Sequence, residues 1–268
     1  MSVNETICLV GWGAIGTRLA QLLRQTGAPV RIAAVAVRDA QTPRDGLPEG
    51  VALIDSPEAL AATGASLVVE AAGRGSVGIW GRAAFAAEMD YAVSSTSAFV
   101  DEALLAELLS LARAKGRQLL IPPGALGGID ALAAAGRLPI ASVEHRIVKP
   151  AQAWKGTPAA DLVDLDALSG PTVFFSASAR EAADAFPQNA NVAVITALAG
   201  IGLDRTRISL VADPDAMLNR HEIRAEGDFG KMDLTFENRP LATNPKSSEM
   251  TALNLARLIE SRVNPLVL

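Results

Sequence analysis

The residues of this chain best suited to chemistry are one glycine cluster and two histidines far from it in sequence. The cluster reads Gly11-Trp12-Gly13-Ala14-Ile15-Gly16, a G-x-G-x-x-G spacing. In that spacing the first glycine permits a tight turn, the second lets backbone approach a pyrophosphate, and the third lets a following helix pack close to its sheet. Amides at the helix start, aided by the helix dipole, then attract phosphate oxygens. The six residues form either a dinucleotide cradle or a plain structural turn, and the flanking pattern decides between them. Of the histidines, His145 lies in SVEHRIVK, whose alternation places it as one side chain of a sheet. His221 lies in ADPDAMLNRHEI, after a turn-rich Asp-Pro-Asp and at the start of a strand, where a side chain can face a cleft. An imidazole titrates near neutrality, so His221 is the candidate general base for the proton released during hydride transfer.

The elements around these residues favour the cradle. Thr6 to Val10 is a short apolar run, and from Ala14 the positions Ile15, Leu19, Leu22 and Leu23 keep helical spacing until Gly27. Val30 to Val37 is nearly all apolar, as in a parallel strand buried on both faces. Further strands are predicted at Val51–Ile54, Leu67–Ala71, Tyr91–Ser95 and Gln118–Ile121, with helical segments near 57–62, 76–89 and 101–115. Ser56-Pro57 reads as a capped helix start. Strands alternating with helices predict an α/β fold, a Rossmann-type doubly wound parallel sheet, over residues 1–123.

From 124 to 244 strands cluster, at Ser142–Pro150, Thr172–Ser176, Arg207–Ala212, Glu222–Glu226 and Met232–Phe236, with GDFGK as a hairpin loop. This half is a second, α+β domain. A last segment, 245–268, is expected to form a helix returning to the first domain through Leu253, Ala256, Leu258 and Ile259.

An acid at the end of the second strand would hold the ribose hydroxyls of NAD and repel the 2′-phosphate of NADP. Here the sequence is Ala36-Val37-Arg38-Asp39, so the acid's place is taken by Val37, and Asp39 lies further round the loop. Arg38 is placed to stack on adenine or pair with a 2′-phosphate, or else it is a solvated partner of Asp39. Either NAD or NADP is expected as cofactor.

Half of the 268 residues are apolar, enough for a large core, and the net charge of −5 comes from interleaved acids and bases with no basic block. Nucleic acid is not an expected partner. The single cysteine, Cys8, sits in an apolar run and reads as a small buried hydrophobe, which leaves no cysteine metal site and no thiol nucleophile for semialdehyde chemistry. No apolar stretch is long enough to span a bilayer and no secretory leader is visible, so a cytoplasmic protein is expected.

Together with GWGAIG, the motifs SSTSAF at 94–99, PPGALGG at 122–128, FPQNANVA at 186–193, VADP with N-x-H at 211–221 and NPKSS at 244–248 cover almost the whole chain in order. In these motifs the chain resembles the aspartate dehydrogenase family. The resemblance implies a Rossmann domain joined to an α+β domain that carries the active site and the contacts of a homodimer. It also implies NAD(P)-dependent oxidation of L-aspartate to iminoaspartate, which is passed to NAD biosynthesis or hydrolysed to oxaloacetate and ammonia. By resemblance His221 is catalytic, and Ala125 and Asn191 contact the nicotinamide end of the cofactor. From residue type alone, GALGG reads instead as a flexible helix start and Asn189 as a helix cap, and the resemblance reverses that for Ala125 and Asn191. Ser95, Thr96 and Lys246 are the candidate partners of the substrate carboxylates. The competing readings are another Rossmann-fold amine or imine oxidoreductase and a non-catalytic dinucleotide sensor.

Overall fold

The computed structural model describes residues 5–267, apart from the side chains of Gln188, Pro245 and Lys246. It divides into two compact units, one running to Pro122 and resuming at Thr251, the other spanning Pro123–Met250.

In the first unit the order is β1 (Glu5–Val10), α1 (Ala14–Thr26), β2 (Val30–Ala36), β3 (Ala52–Ile54), β4 (Leu67–Glu70), α2 (Val77–Ala86), β5 (Asp90–Val93), α3 (Glu102–Lys115) and β6 (Leu119–Leu120). The six strands form one parallel sheet in the order β3-β2-β1-β4-β5-β6. The order reverses on either side of β1, and such a switch point opens a crevice at the carboxyl ends of the strands. The central strands β1, β4 and β5 are buried along almost their whole length because helices cover both faces.

The segment after β3 corrects one expectation. Ser56 does not cap the short 3₁₀ helix Pro57–Thr63; its hydroxyl donates to the Glu58 carboxylate instead.

The second unit contains α4 (Ile129–Ala135), β7 (Ile140–Pro150), β8 (Thr172–Ser178), α5 (Ala179–Ala185), α6 (Ala190–Ala199), β9 (Arg207–Asp213), β10 (Asn219–Gly227), β11 (Gly230–Asn238), β12 (Pro240–Leu241) and β13 (Asn244–Ser248). Five strands make a mixed sheet ordered β11-β10-β7-β9-β8. Its long hairpin turns at Asp228-Phe229 between the paired Gly227 and Gly230, as the GDFGK loop predicts. One face carries Val143, His145, Ile147, Ile223 and Ala225, all buried. The other face carries ion pairs such as Arg146–Glu222 at 3.4 Å and Arg220–Glu222 at 2.8 Å. β10 begins at Asn219 rather than Glu222, so His221 sits within the strand.

The final helix, α7 (Glu249–Glu260), returns to the first unit, but the expected helical segment from 245 is too long at its start. Residues 244–248 are extended and pair with β12. The buried face also differs from expectation. Ala252, Leu255, Ala256 and Ile259 join Ile7, Leu19 and Leu23 in the core, whereas Leu253 is exposed. Leu255 and Ile259, each fully buried, contribute roughly 1.5–3 kcal/mol apiece to this docking. Beyond the helix, the Arg262 guanidinium bridges Glu5 and Asp90, each at 2.9 Å, and fixes the chain against β1 and β5.

Candidate active site

In the first unit the glycine turn borders a cleft of about 930 Å³ at the ends of the strands, lined by Gly11, Trp12, Gly13, Arg38, Arg44 and the 71–76 loop among others. Gly11 has φ +101°, and a Cβ there would lie 2.8 Å from the Ala71 carbonyl oxygen. Gly13 is different: a Cβ added to it meets nothing within 4 Å, so the space over it is a cradle that a side chain would fill. The first turn of α1 has no side-chain cap, which leaves its amides facing this space. The Trp12 indole donates to the Asp45 carbonyl at 2.9 Å and ties the loop after β2 to the turn. That loop brings Arg44 to the cleft, where its Nε is buried with no hydrogen-bond partner among the described residues. A guanidinium with an unpartnered Nε beside Arg38, with Val37 in the acid's place, fits a bound phosphate. The Asp39 carboxylate is occupied locally, accepting from the Gln41 amide at 2.9 Å and the Thr42 hydroxyl at 2.5 Å.

The opposite wall of the cleft is organised by Glu70, a fully buried carboxylate at the end of β4. It accepts from the amides of Ala72, Gly73 and Ser95 and from the hydroxyls of Ser76 and Ser95, all between 2.8 and 3.0 Å. Four donors, with the Ser76 hydroxyl shared between Glu70 and the Gly73 carbonyl, compensate the burial of one charge and fix two loops at once. This arrangement changes the reading of Ser95 and Thr96. The one proton of the Ser95 hydroxyl is committed to Glu70, and Thr96 is fully buried.

The histidines meet in the second unit. β10 pairs antiparallel with β7, setting His221 opposite Ile147 and Ile223 opposite His145, so the two imidazoles are diagonal neighbours on one face. His145 Nε2 lies 3.1 Å from His221 Nδ1, and His145 Nδ1 lies 2.9 Å from the Thr196 hydroxyl of α6. His145 is a buried sheet residue as expected, yet it touches the candidate base directly. Burial, and secondarily His221, hold His145 well below the usual histidine pKa. The expectation of a near-neutral titration for His221 fails. Burial, then the positive charge of Lys149, push it down to about 3, which favours the neutral ring.

Lys149 stands two and four residues beyond Ile147 and His145, on the same face of β7. Burial lowers its amine to about 8, and the ammonium lies 5.1 Å above the Trp154 ring. No carboxylate among the described residues pairs with it. Ala125 is held by its own carbonyl, which accepts from Asn238 Nδ2 at 2.7 Å, and the loop behind it packs on β11, with Gly127 against Phe236 and Gly128 against Leu234. Asn191 is exposed in the first turn of α6. Asn189 precedes that helix without a side-chain cap, contrary to expectation. Lys246 lies on β13, and its side chain is outside the described residues.

The sequence reading missed Glu70, Arg44, Thr196 and Lys149. Lys149 was findable, since period-two spacing from His145 puts it on the same face. Glu70 also left a signal, as the one charge ending an otherwise apolar strand. Nothing in the sequence distinguishes Thr196 from an ordinary helix threonine.

Known proteins share this architecture. The family model described as "Aspartate dehydrogenase, C-terminal" matches residues 130–262, and "Homoserine dehydrogenase, NAD binding domain" matches residues 11–122. The L-aspartate dehydrogenase of Brucella anthropi is 70% identical over 263 residues, covering 98% of both chains. The chain belongs to the L-aspartate dehydrogenase family. Another member, from Pseudomonas aeruginosa, is 40% identical over 94% of this chain and 96% of its own. The crystal structure of aspartate dehydrogenase from Thermotoga maritima superposes with a TM-score of 0.77 at 25% identity, covering 99% of each chain. An archaeal homoserine dehydrogenase in complex with NADPH shares the fold at a TM-score of 0.62 and 13% identity, over 98% of this chain and 99% of its own. The first unit is a dinucleotide-binding domain, and the chain is an NAD(P)-dependent oxidoreductase.

Proposed function

We propose that this chain oxidatively deaminates L-aspartate with NAD or NADP, using His221 as the base. The observation that carries the reading is the placement of a neutral imidazole and a cation with no paired carboxylate among the described residues, His221 and Lys149, on one buried sheet face. A substrate that is both amine and dicarboxylate needs such a pair. Gly11 to Gly16 hold the pyrophosphate, Arg38 and Arg44 receive a 2′-phosphate when NADP is bound, and Ala125 and Asn191 border the nicotinamide end. The bound nicotinamide supplies the hydride acceptor. His221 takes a proton from the substrate ammonium, and the freed lone pair forms the C=N bond as the α-hydrogen leaves with its electrons, giving iminoaspartate in its protonated, iminium form. Lys149 fixes a carboxylate by charge. Once paired with that anion, Lys149 no longer depresses His221, so the imidazole becomes more basic when substrate is present. The working form is proposed to be a cytoplasmic homodimer.

A screen of L-amino acids against NAD and NADP, followed by absorbance at 340 nm, tests this. Reduction with L-aspartate alone among them is expected. Turnover of a different amine or of a cyclic imine, with none of aspartate, would overturn the reading.

A further inference from the structure

The two histidines and Thr196 form a hydrogen-bonded chain whose proton positions are constrained by elementary valence. The Thr196 hydroxyl has a single proton, and the Val192 carbonyl oxygen at 3.0 Å, a group that can only accept, is in place to receive it. With that proton on Val192, the hydroxyl oxygen accepts from His145 Nδ1 at 2.9 Å, and Nδ1 carries hydrogen. A neutral His145 is left with a lone pair on Nε2. Its neighbour at 3.1 Å, His221 Nδ1, must be the donor, which leaves the lone pair of His221 on Nε2, the nitrogen outside the chain. Turning the Thr196 hydroxyl toward His145 would invert every step and give His221 an Nε2–H, a donor where a base is needed.

We propose that Thr196 and His145 are positioning residues that lock His221 in its Nδ1–H tautomer, so that Nε2 is the basic atom offered to the substrate. The role of that atom rests on the reading of His221 as the base; the tautomer itself does not. When Nε2 takes a proton, the resulting imidazolium donates its Nδ1–H to His145 Nε2, and the charge is stabilised by a preformed acceptor. His145 therefore needs to be neutral, and its burial, with no carboxylate paired to it among the described residues, keeps it so.

The chain has only two histidines, so ring-¹⁵N-labelled full-length protein gives two imidazole patterns in long-range ¹H–¹⁵N spectra, assigned with His145→Gln. Both rings of the wild type are expected as Nδ1–H tautomers, opposite to the form dominant in free histidine. Thr196→Val keeps the shape of the side chain and removes the anchor. It should shift the tautomers toward Nε2–H and lower kcat for aspartate by about tenfold or more, with cofactor Kd and the aspartate KM near wild type. Thr196→Ser should restore both the tautomers and kcat. An Nε2–H on wild-type His221 would overturn the proposal, as would a Thr196→Val protein with unchanged tautomers and kcat, or one changed in KM alone. If the valine variant does not fold, the wild-type spectrum alone decides. If wild type does not turn over aspartate, the functional reading fails, while the spectrum still tests the tautomer lock.

Discussion

At the residue scale, the glycines of the cradle separate by what a side chain would meet. Gly13→Val should leave the fold intact, because its Cβ points into open space, yet weaken cofactor binding by about tenfold or more by filling the cleft. Gly11→Ala should instead cost about 1–3 kcal/mol of stability, from φ +101° and contact with Ala71 and Ala72. Thermal unfolding and cofactor titration of both variants check the contrast; equal cofactor affinity in a folded Gly13→Val protein would contradict it. Lys149 gives a pH dependence with a definite sign. Its amine is a cation below about 8 and neutral above, so a dicarboxylate without an amine, such as succinate, should bind progressively less well as pH rises through 8. Lys149→Met should bind it weakly at every pH, and inhibition constants measured from about pH 6 to 10 would show whether that limb disappears. Cys8 stands apart from this chemistry. Burial pushes its thiol up to about 12, which makes it the inert core residue its apolar setting predicts.

At the element scale, the carboxyl end of β4 does more than end a strand. Glu70 holds the 71–76 loop, which lines the cofactor cleft, and the 95 loop together. Glu70→Ala should leave several buried donors without an acceptor, destabilise the protein by about 3 kcal/mol or more, and weaken the cofactor. Denaturant unfolding with and without NAD measures both, and an unchanged unfolding midpoint would refute this role. The parallel strands of the first unit were legible because an unbroken apolar run between two helical periods suits a strand covered on both faces and little else. The α+β half was harder to read. α5 carries a capping box, Ser178 with Glu181, in the sequence S-A-R-E, but its seven residues are too few to show a period. α6 is apolar nearly all round, so it has no helical stripe to read. The strand over 244–248 escaped notice because its pairing depends on two residues of β12 brought close by a turn.

At the scale of the whole molecule, the fold class, the α7 return and the glycine cradle could be read from sequence, because each is encoded in local spacing. The site of the second unit could be read only in part. His221 was visible as a residue type in a motif, whereas its neutral state, its contact with His145 and its exposure to the charge of Lys149 arise from the register of β7 against β10. That register is a non-local property. The central claim is that this assembly performs base-assisted hydride removal from aspartate with His221 as the base. Its most direct test is steady-state turnover of L-aspartate by His221→Ala, with cofactor binding measured in the same preparation. The expected result is kcat lowered by about 10² to 10⁴ with cofactor Kd nearly unchanged. Near-wild-type kcat with only a raised KM for aspartate would contradict it.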